Sequence, residues 1–226
     1  MARAPRLVLS RLGLLLLLFP GASVATAAPA APRPDRRFLV GVEGVAILTP
    51  AVHIPQLRLD SRFIGESTNL GGVGVLGRWS PIDRIALEIA VRSGSLRLRE
   101  LARGDVISQD LVMADAGVLL YLARGELGRL AIDGGFGGIG HQLRYELGDG
   151  RRGLQRFGAF SARVGLDLEL GLGRLALLVS LRAHGVINDH RRVVTQGALF
   201  AAQQAPLPVT TFQTYVVGAA GVAYRF

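Results

Sequence analysis

Three observations predict an all-β chain that closes as an eight-stranded antiparallel up-and-down transmembrane β-barrel. From Phe38 onward, eight segments alternate residue by residue, as strands do when successive side chains point to opposite faces. One face of all eight carries no charge, and every charge within them falls on the other. Half of the 226 residues are apolar, yet after the N-terminal run no second stretch of about 18 apolar residues could form a membrane helix. A barrel spreads its apolarity over alternate positions instead.

Residues 1–27 read as a secretory signal peptide. Arg3 and Arg6 give a positive start, residues 14–19 an apolar core, and Ala25-Thr26-Ala27 a small-x-small cleavage site. That core is too short to span a bilayer comfortably, so cleavage before Ala28 is expected. Residues 28–37, APAAPRPDRR, should form an extended periplasmic tether, and residues 38–226 the barrel domain. Removing the signal takes away Arg3, Arg6 and Arg11 and no acid, so the formal charge of +9 falls to +6. Such a modest excess gives no reason to expect nucleic acid as a partner. The chain contains no cysteine, which excludes disulfides, thiolate metal sites and a catalytic thiol.

The uncharged face runs through Val40, Val42, Gly44, Ala46 and Leu48 in the first strand, then Val73, Val75, Gly77 and Trp79 in the second. Ile85 to Val91 at every second position supply the third, and Val112 to Leu122 likewise the fourth. Leu130, Ile132, Gly134, Phe136 and Gly138 supply the fifth; even positions from Phe160 to Leu170 the sixth; odd positions from Leu175 to Ala183 the seventh. In the last strand, FQTYVVGAAGVAYRF, the row is Thr214, Val216, Gly218, Ala220, Val222, Tyr224 and Phe226.

The opposite face carries Glu43, Arg78, Glu88, Arg92, Asp115, Asp133, Arg163, Asp167, Glu169, Arg182 and Arg225. Five are positive and six negative, a mixture that a narrow lumen can satisfy by internal pairing. Gly41, Gly72, Gly74, Gly117, Gly135, Gly137 and Gly165 share this face and should make room for arginine in a lumen just wide enough to be filled. Leu39, Val45, Ile47, Leu76, Leu119, Ile139 and Leu178 also lie on it. They would make a poor soluble surface, which argues against a lipocalin-like barrel with the two faces exchanged.

The connections alternate short and long. SPID, ARGELG and GL after Leu170 are short; a turn with Gly171 at its first central position suits type II′. It would set Glu169 against Arg174 and Ser180 against Arg163, and it avoids the facing of Arg163 with Arg182 that a Leu172-Gly173 turn would impose. Long connections are expected at 49–69, 93–107, 140–156 and 185–209, as outer loops. Phe38, Trp79, Tyr224 and Phe226 should then ring the periplasmic rim, and Phe136, Phe157 and Phe212 the outer one. By parity Tyr121 points inward, where it needs a hydrogen bond unless a bulge turns the strand end.

Gly221, Tyr224 and Phe226 fall on the glycine and aromatic positions of the closing-strand signal of outer-membrane β-barrels, while Ala219 departs from its polar position. Together with the strand pattern, this makes the chain similar to the OmpA/OmpX-type small outer-membrane barrels over nearly the whole mature length, barrel only. The resemblance implies a Gram-negative cell outer membrane, both ends in the periplasm, and Tyr224 and Phe226 read by the barrel-assembly machinery.

Motifs for chemistry are weak. Gly135-Phe-Gly-Gly-Ile-Gly140 has dinucleotide-loop spacing, but no helix signal follows. Arg103-Gly104-Asp105 matches a tripeptide of integrin ligands and is too short to carry weight. Ser180 and His184 share one strand face, but four residues separate them by roughly 14 Å, beyond the reach of a nucleophile and its base. His184, Asp189 and His190 lack a fixed ligand spacing. No catalytic residue, cofactor or metal is expected. The outer-loop arginines Arg144, Arg151, Arg152, Arg156, Arg191 and Arg192 could hold lipopolysaccharide phosphates. The expected role is a monomeric, non-enzymatic structural or surface-interaction protein; the rivals are a narrow pore or lateral gate for small solutes, and the soluble ligand-binding barrel.

Overall fold

The computed structural model describes residues 37–49, 68–99, 106–125, 127–188, 194–197 and 212–226. The expected signal peptide and the expected tether, up to residue 36, lie outside them, as do Arg103-Gly104-Asp105, Asp189, His190, Arg191 and Arg192.

Alternating sequence becomes alternating burial. In β1 (Phe38–Thr49) every second side chain is buried and the others are exposed. The wall continues through β2 (Thr68–Ile82), β3 (Ile85–Arg99), β4 (Val106–Arg124), β5 (Gly128–Glu146), β6 (Arg152–Leu172), β7 (Leu175–Asn188) and β9 (Phe212–Arg225). Each pairs antiparallel with its neighbour, β7 pairs with β9, and β9 pairs back onto β1. The sheet therefore closes with eight strands and leaves no edge in its wall. A three-residue β8 (Val194–Gln196) lies against Leu154–Arg156 of β6.

The apolar row faces outward. Val40, Val42, Val73, Ile89, Val164 and Leu181 are exposed, while Glu43, Glu88, Arg92, Arg163 and Arg182 are buried. This is the reverse of a soluble barrel, so the lipocalin-like alternative is overturned. The ten steps from Phe160 to Leu170, at about 3.3 Å each and tilted about 40°, span about 25 Å, the height of an outer-membrane apolar band.

At the end that holds both Phe38 and Phe226, Phe38 stacks on Trp79 at 6.4 Å and Tyr224 meets Phe226 edge-on at 4.9 Å. At the other end, Phe136 and Phe160 stack at 6.0 Å, and Phe212 is exposed. Phe157 departs from the expected outer ring. It sits on the odd, inward row of β6 and is buried, its ring 4.6 Å from that of His141.

Two further expectations are corrected. The β6–β7 hairpin turns at Gly173-Arg174, with Leu172 paired to Leu175 and Gly173 at φ +71. A positive φ at the first central residue alone is the II′ arrangement, so the turn type is as expected but lies two residues later. Arg163 then faces His184, and Ser180 faces Asp167; neither anticipated facing forms. The connection expected at 140–156 is mostly strand. β5 runs to Glu146 and β6 starts at Arg152, forming a hairpin that extends beyond the apolar band.

Candidate functional site

The lumen is built from the inward rows. β1 supplies Glu43, β2 Arg78, β3 Glu88 and Arg92, and β4 Asp115. β5 supplies Asp133, β6 Arg163, Asp167 and Glu169, β7 Arg182, and β9 Arg225. All eleven residues expected to share the lumen join one connected ion-pair network.

Glu88 is its hub. Its carboxylate lies 2.7 Å from Arg78, 3.7 Å from Arg92, 3.0 Å from Arg163 and 3.0 Å from Arg182. Arg92 reaches Glu43 at 2.5 Å and Asp115 at 2.8 Å, and Arg163 also pairs with Asp115. Arg182 lies 2.7 Å from Asp133 and 3.0 Å from Asp167, and Arg78 also pairs with Asp167. Toward the rim, Glu169 takes Arg225 at 2.5 Å and accepts a hydrogen bond from Tyr121 at 3.1 Å. Tyr121 thus points inward and finds its partner; the irregularity in β4 comes just after it, before Ala123.

Interior glycine has two separate causes. A Cβ at Gly74 would meet only side chains, Glu43 at 2.9 Å and Arg92 at 3.0 Å, so this glycine makes room for arginine as expected; at Gly117 and Gly165 a Cβ would meet Arg163 and Arg182 at 2.7 Å and backbone carbonyl oxygens as closely, at 2.7 and 2.8 Å. At Gly72, Gly135 and Gly137 a Cβ would instead strike backbone of the neighbouring strand, at 1.8, 2.3 and 2.4 Å. Gly135 to Gly140 therefore lie within β5 as wall, not as a phosphate-binding loop.

Apolar side chains cover the network at one end and interleave with it at the other. Val45, Ile47, Leu70, Leu111, Met113, Ile139, Val186, Tyr215 and Val217 pack above it. Leu39, Leu76, Ala90, Ala176, Leu178 and Ala223 interleave with its lower charges, Leu39 being paired with Arg78 and Arg225 and Leu178 with Glu169, beside a second cluster of Ala86, Leu119, Tyr121 and Ala131. Ser180 and His184 are buried within the lumen. Among the described residues no cluster of histidine and carboxylate has the makings of a metal site.

Outside the band, Arg144, Arg152 and Arg156 stand on the strand extensions and Arg151 in the turn. Most are already paired: Arg151 with Asp149 at 2.7 Å, Arg152 with Glu146 at 2.7 Å, Arg144 with Asp110 at 3.8 Å. Hydrogen bonds from the Arg151 backbone N–H and guanidinium hold the Asp149 carboxyl below its ordinary range. Arg156 differs. Its Nε donates to Gln142 Oε1 at 2.7 Å, and among the described residues no carboxylate pairs with it.

No protein-family model matches the chain, and no curated protein matches its sequence. Its fold is similar to that of Ail, the attachment invasion locus protein of Yersinia pestis, solved in complex with the heparin analogue sucrose octasulfate. The TM-score is 0.53 at 11% identity, over 84% of this chain and 99% of that one. Neisserial surface protein A superposes with a TM-score of 0.50 at 9% identity, over 84% and 97% of the two chains. Likeness at such identity is likeness of fold, and it coincides with the closed sheet, the outward apolar band and the inward charges: the chain has the fold of the small eight-stranded outer-membrane β-barrels.

Proposed function

We propose that the chain is an integral protein of a bacterial outer membrane, non-enzymatic and non-conducting, with a structural and surface-interaction role. The observation that carries this reading is the filled lumen. A pore needs a continuous path of water, whereas here five arginines and six carboxylates pair with one another among packed apolar side chains. Side chains fill small barrels in this way, and paired charges in low dielectric are costly to separate.

The location is supported by the uncharged outer wall and its aromatic rims, and by a signal peptide that would be cleaved after residue 27. Tyr224 and Phe226, at the closing strand, offer the assembly machinery its recognition signal. One chain supplies all eight strands, so a monomer suffices. Outer-membrane lipid and lipopolysaccharide are its natural neighbours, with the outer hairpin presented beyond them.

The test is a planar-bilayer recording of the refolded mature protein, with a heated-versus-unheated gel to establish that the barrel is folded. A folded, silent barrel is the expected result. Discrete conductance steps, abolished or altered by substitution of Arg92 or Arg182, would replace this reading with the narrow-pore alternative.

A further inference from the structure

On the outer wall of β4, β5 and β6, just beyond the Phe136–Phe160 pair, the surface sinks into two adjoining concavities of about 510 and 570 Å³ that meet at Gly158. Both are shallow and open to the surroundings. Strand register builds the floor: Gly140 lies opposite Gly158, and Gly138 opposite Phe160.

These glycines are not demanded by packing. A Cβ at Gly138, Gly140 or Gly158 would meet nothing closer than 3.9, 4.0 or 3.8 Å, in contrast to the backbone clashes at Gly135 and Gly137 in the same strand. Their bareness lowers the wall without relieving any contact inside it.

Among the described lining residues, charged side chains stand at one end of the depression only. Four residues separate Phe160 from Arg156, about 13 Å along the strand and about 10 Å along the membrane normal at a tilt near 40°. That distance leads from the edge of the hydrocarbon band to the depth of lipid headgroups. At the upper end Arg156 is held by Gln142 and, among the described residues, pairs with no carboxylate, while Arg144 shares its charge with Asp110. Among the described residues that line this end, Arg144 and Arg156 against Asp110 leave one positive charge. A guanidinium oriented by a neutral partner keeps its remaining donors for a phosphate.

Resting on the outer-membrane reading above, we propose that this depression seats one phosphorylated glycolipid of the outer leaflet. Its phosphate lies on Arg156, and the first part of an acyl chain crosses Gly140 and Gly158 toward the Phe136–Phe160 pair. The choice of a glycolipid over a phospholipid follows from the side of the wall: the depression lies at the end opposite Phe38 and Phe226, hence in the outer leaflet.

Native mass spectrometry of the refolded mature barrel in detergent, titrated with lipid A, tests this. Arg156→Gln and the paired change Gly140→Leu with Gly158→Leu should each weaken binding about tenfold, equivalent to about 1.4 kcal/mol. Arg151→Gln with Arg152→Gln, whose charges are already met by Asp149 and Glu146, should not change it. A heat-shift gel establishes that each variant is folded; if the leucine pair does not fold, Arg156→Gln decides alone. Lipid A binding that is unchanged in Arg156→Gln overturns the proposal, as does phosphatidylglycerol or dephosphorylated lipid A binding as tightly as lipid A. The outer-membrane reading fails separately, when the expressed protein fractionates with soluble proteins; a barrel that sits in the membrane but binds no lipid A removes only the seat.

Discussion

Glu88 is held by four arginines from β2, β3, β6 and β7, so its loss reaches opposite sides of the wall. Glu88→Ala should lower stability by about 3–5 kcal/mol, because it leaves buried guanidinium groups short of countercharge. Urea unfolding followed by heat-shift gels would measure it. Asp83→Ala, which removes the exposed partner of Arg124 at 3.3 Å, should leave the same midpoint unchanged, since solvent screens such a pair. Equal effects of the two would deny the network its importance. Gly221 shows how a recognition signal and a steric need coincide. A Cβ there would lie 2.2 Å from the Val42 carbonyl oxygen, on the seam where β9 meets β1. Gly221→Ala should therefore impair refolding into detergent, with no assembly machinery present. Deletion of Phe226, whose ring is exposed, should refold normally in detergent and lose its yield only in cells; normal assembly in cells would count against the recognition role.

Among the elements, the β6–β7 hairpin shows where pairwise reasoning falls short. Avoiding a direct Arg163–Arg182 opposition is sound for neighbouring strands, but it assumes that these side chains meet their nearest neighbours. In the closed barrel they reach across the lumen, where both share Glu88 and Asp133. Turn chemistry then decides the register. Gly173 is the residue at φ +71, and Gly173→Ala should cost about 1 kcal/mol, since a left-handed conformation is strained for any residue with a Cβ. A neutral Gly173→Ala in a thermal or urea titration would indicate that the turn relaxes at no cost. The alternation of strands was legible throughout because period two survives in every segment. Loop lengths were not: nothing in QLRYELGDGRRGLQR distinguishes a long loop from a hairpin that keeps pairing beyond the membrane. Misplacing Phe157 has the same origin, for its odd position within a strand already requires an inward ring.

For the whole molecule, orientation is the property most open to test. Trypsin applied to intact cells should cut at Arg151 or Arg152 in the β5–β6 hairpin, both exposed, and leave Arg78, Arg92, Arg163 and Arg182 uncut, since all four are buried in the lumen. Cleavage at these buried positions in folded protein, mapped by mass spectrometry, would mean that the wall is open. A closed wall also accounts for the inward leucines and valines. They pack above the charges and between them, and so convert a channel-shaped fold into a filled one.

The sequence by itself determined the strand count, which face meets lipid, and the identity of the eleven charges that must find one another, because these follow from a period of two and from the cost of placing charge in hydrocarbon. Which charge meets which, the central place of Glu88, the register at Gly173 and the glycine-floored depression beside Arg156 were decided only by the tertiary structure. Each depends on residues brought opposite one another by closure of the sheet, across a lumen or between strands whose register no local pattern specifies.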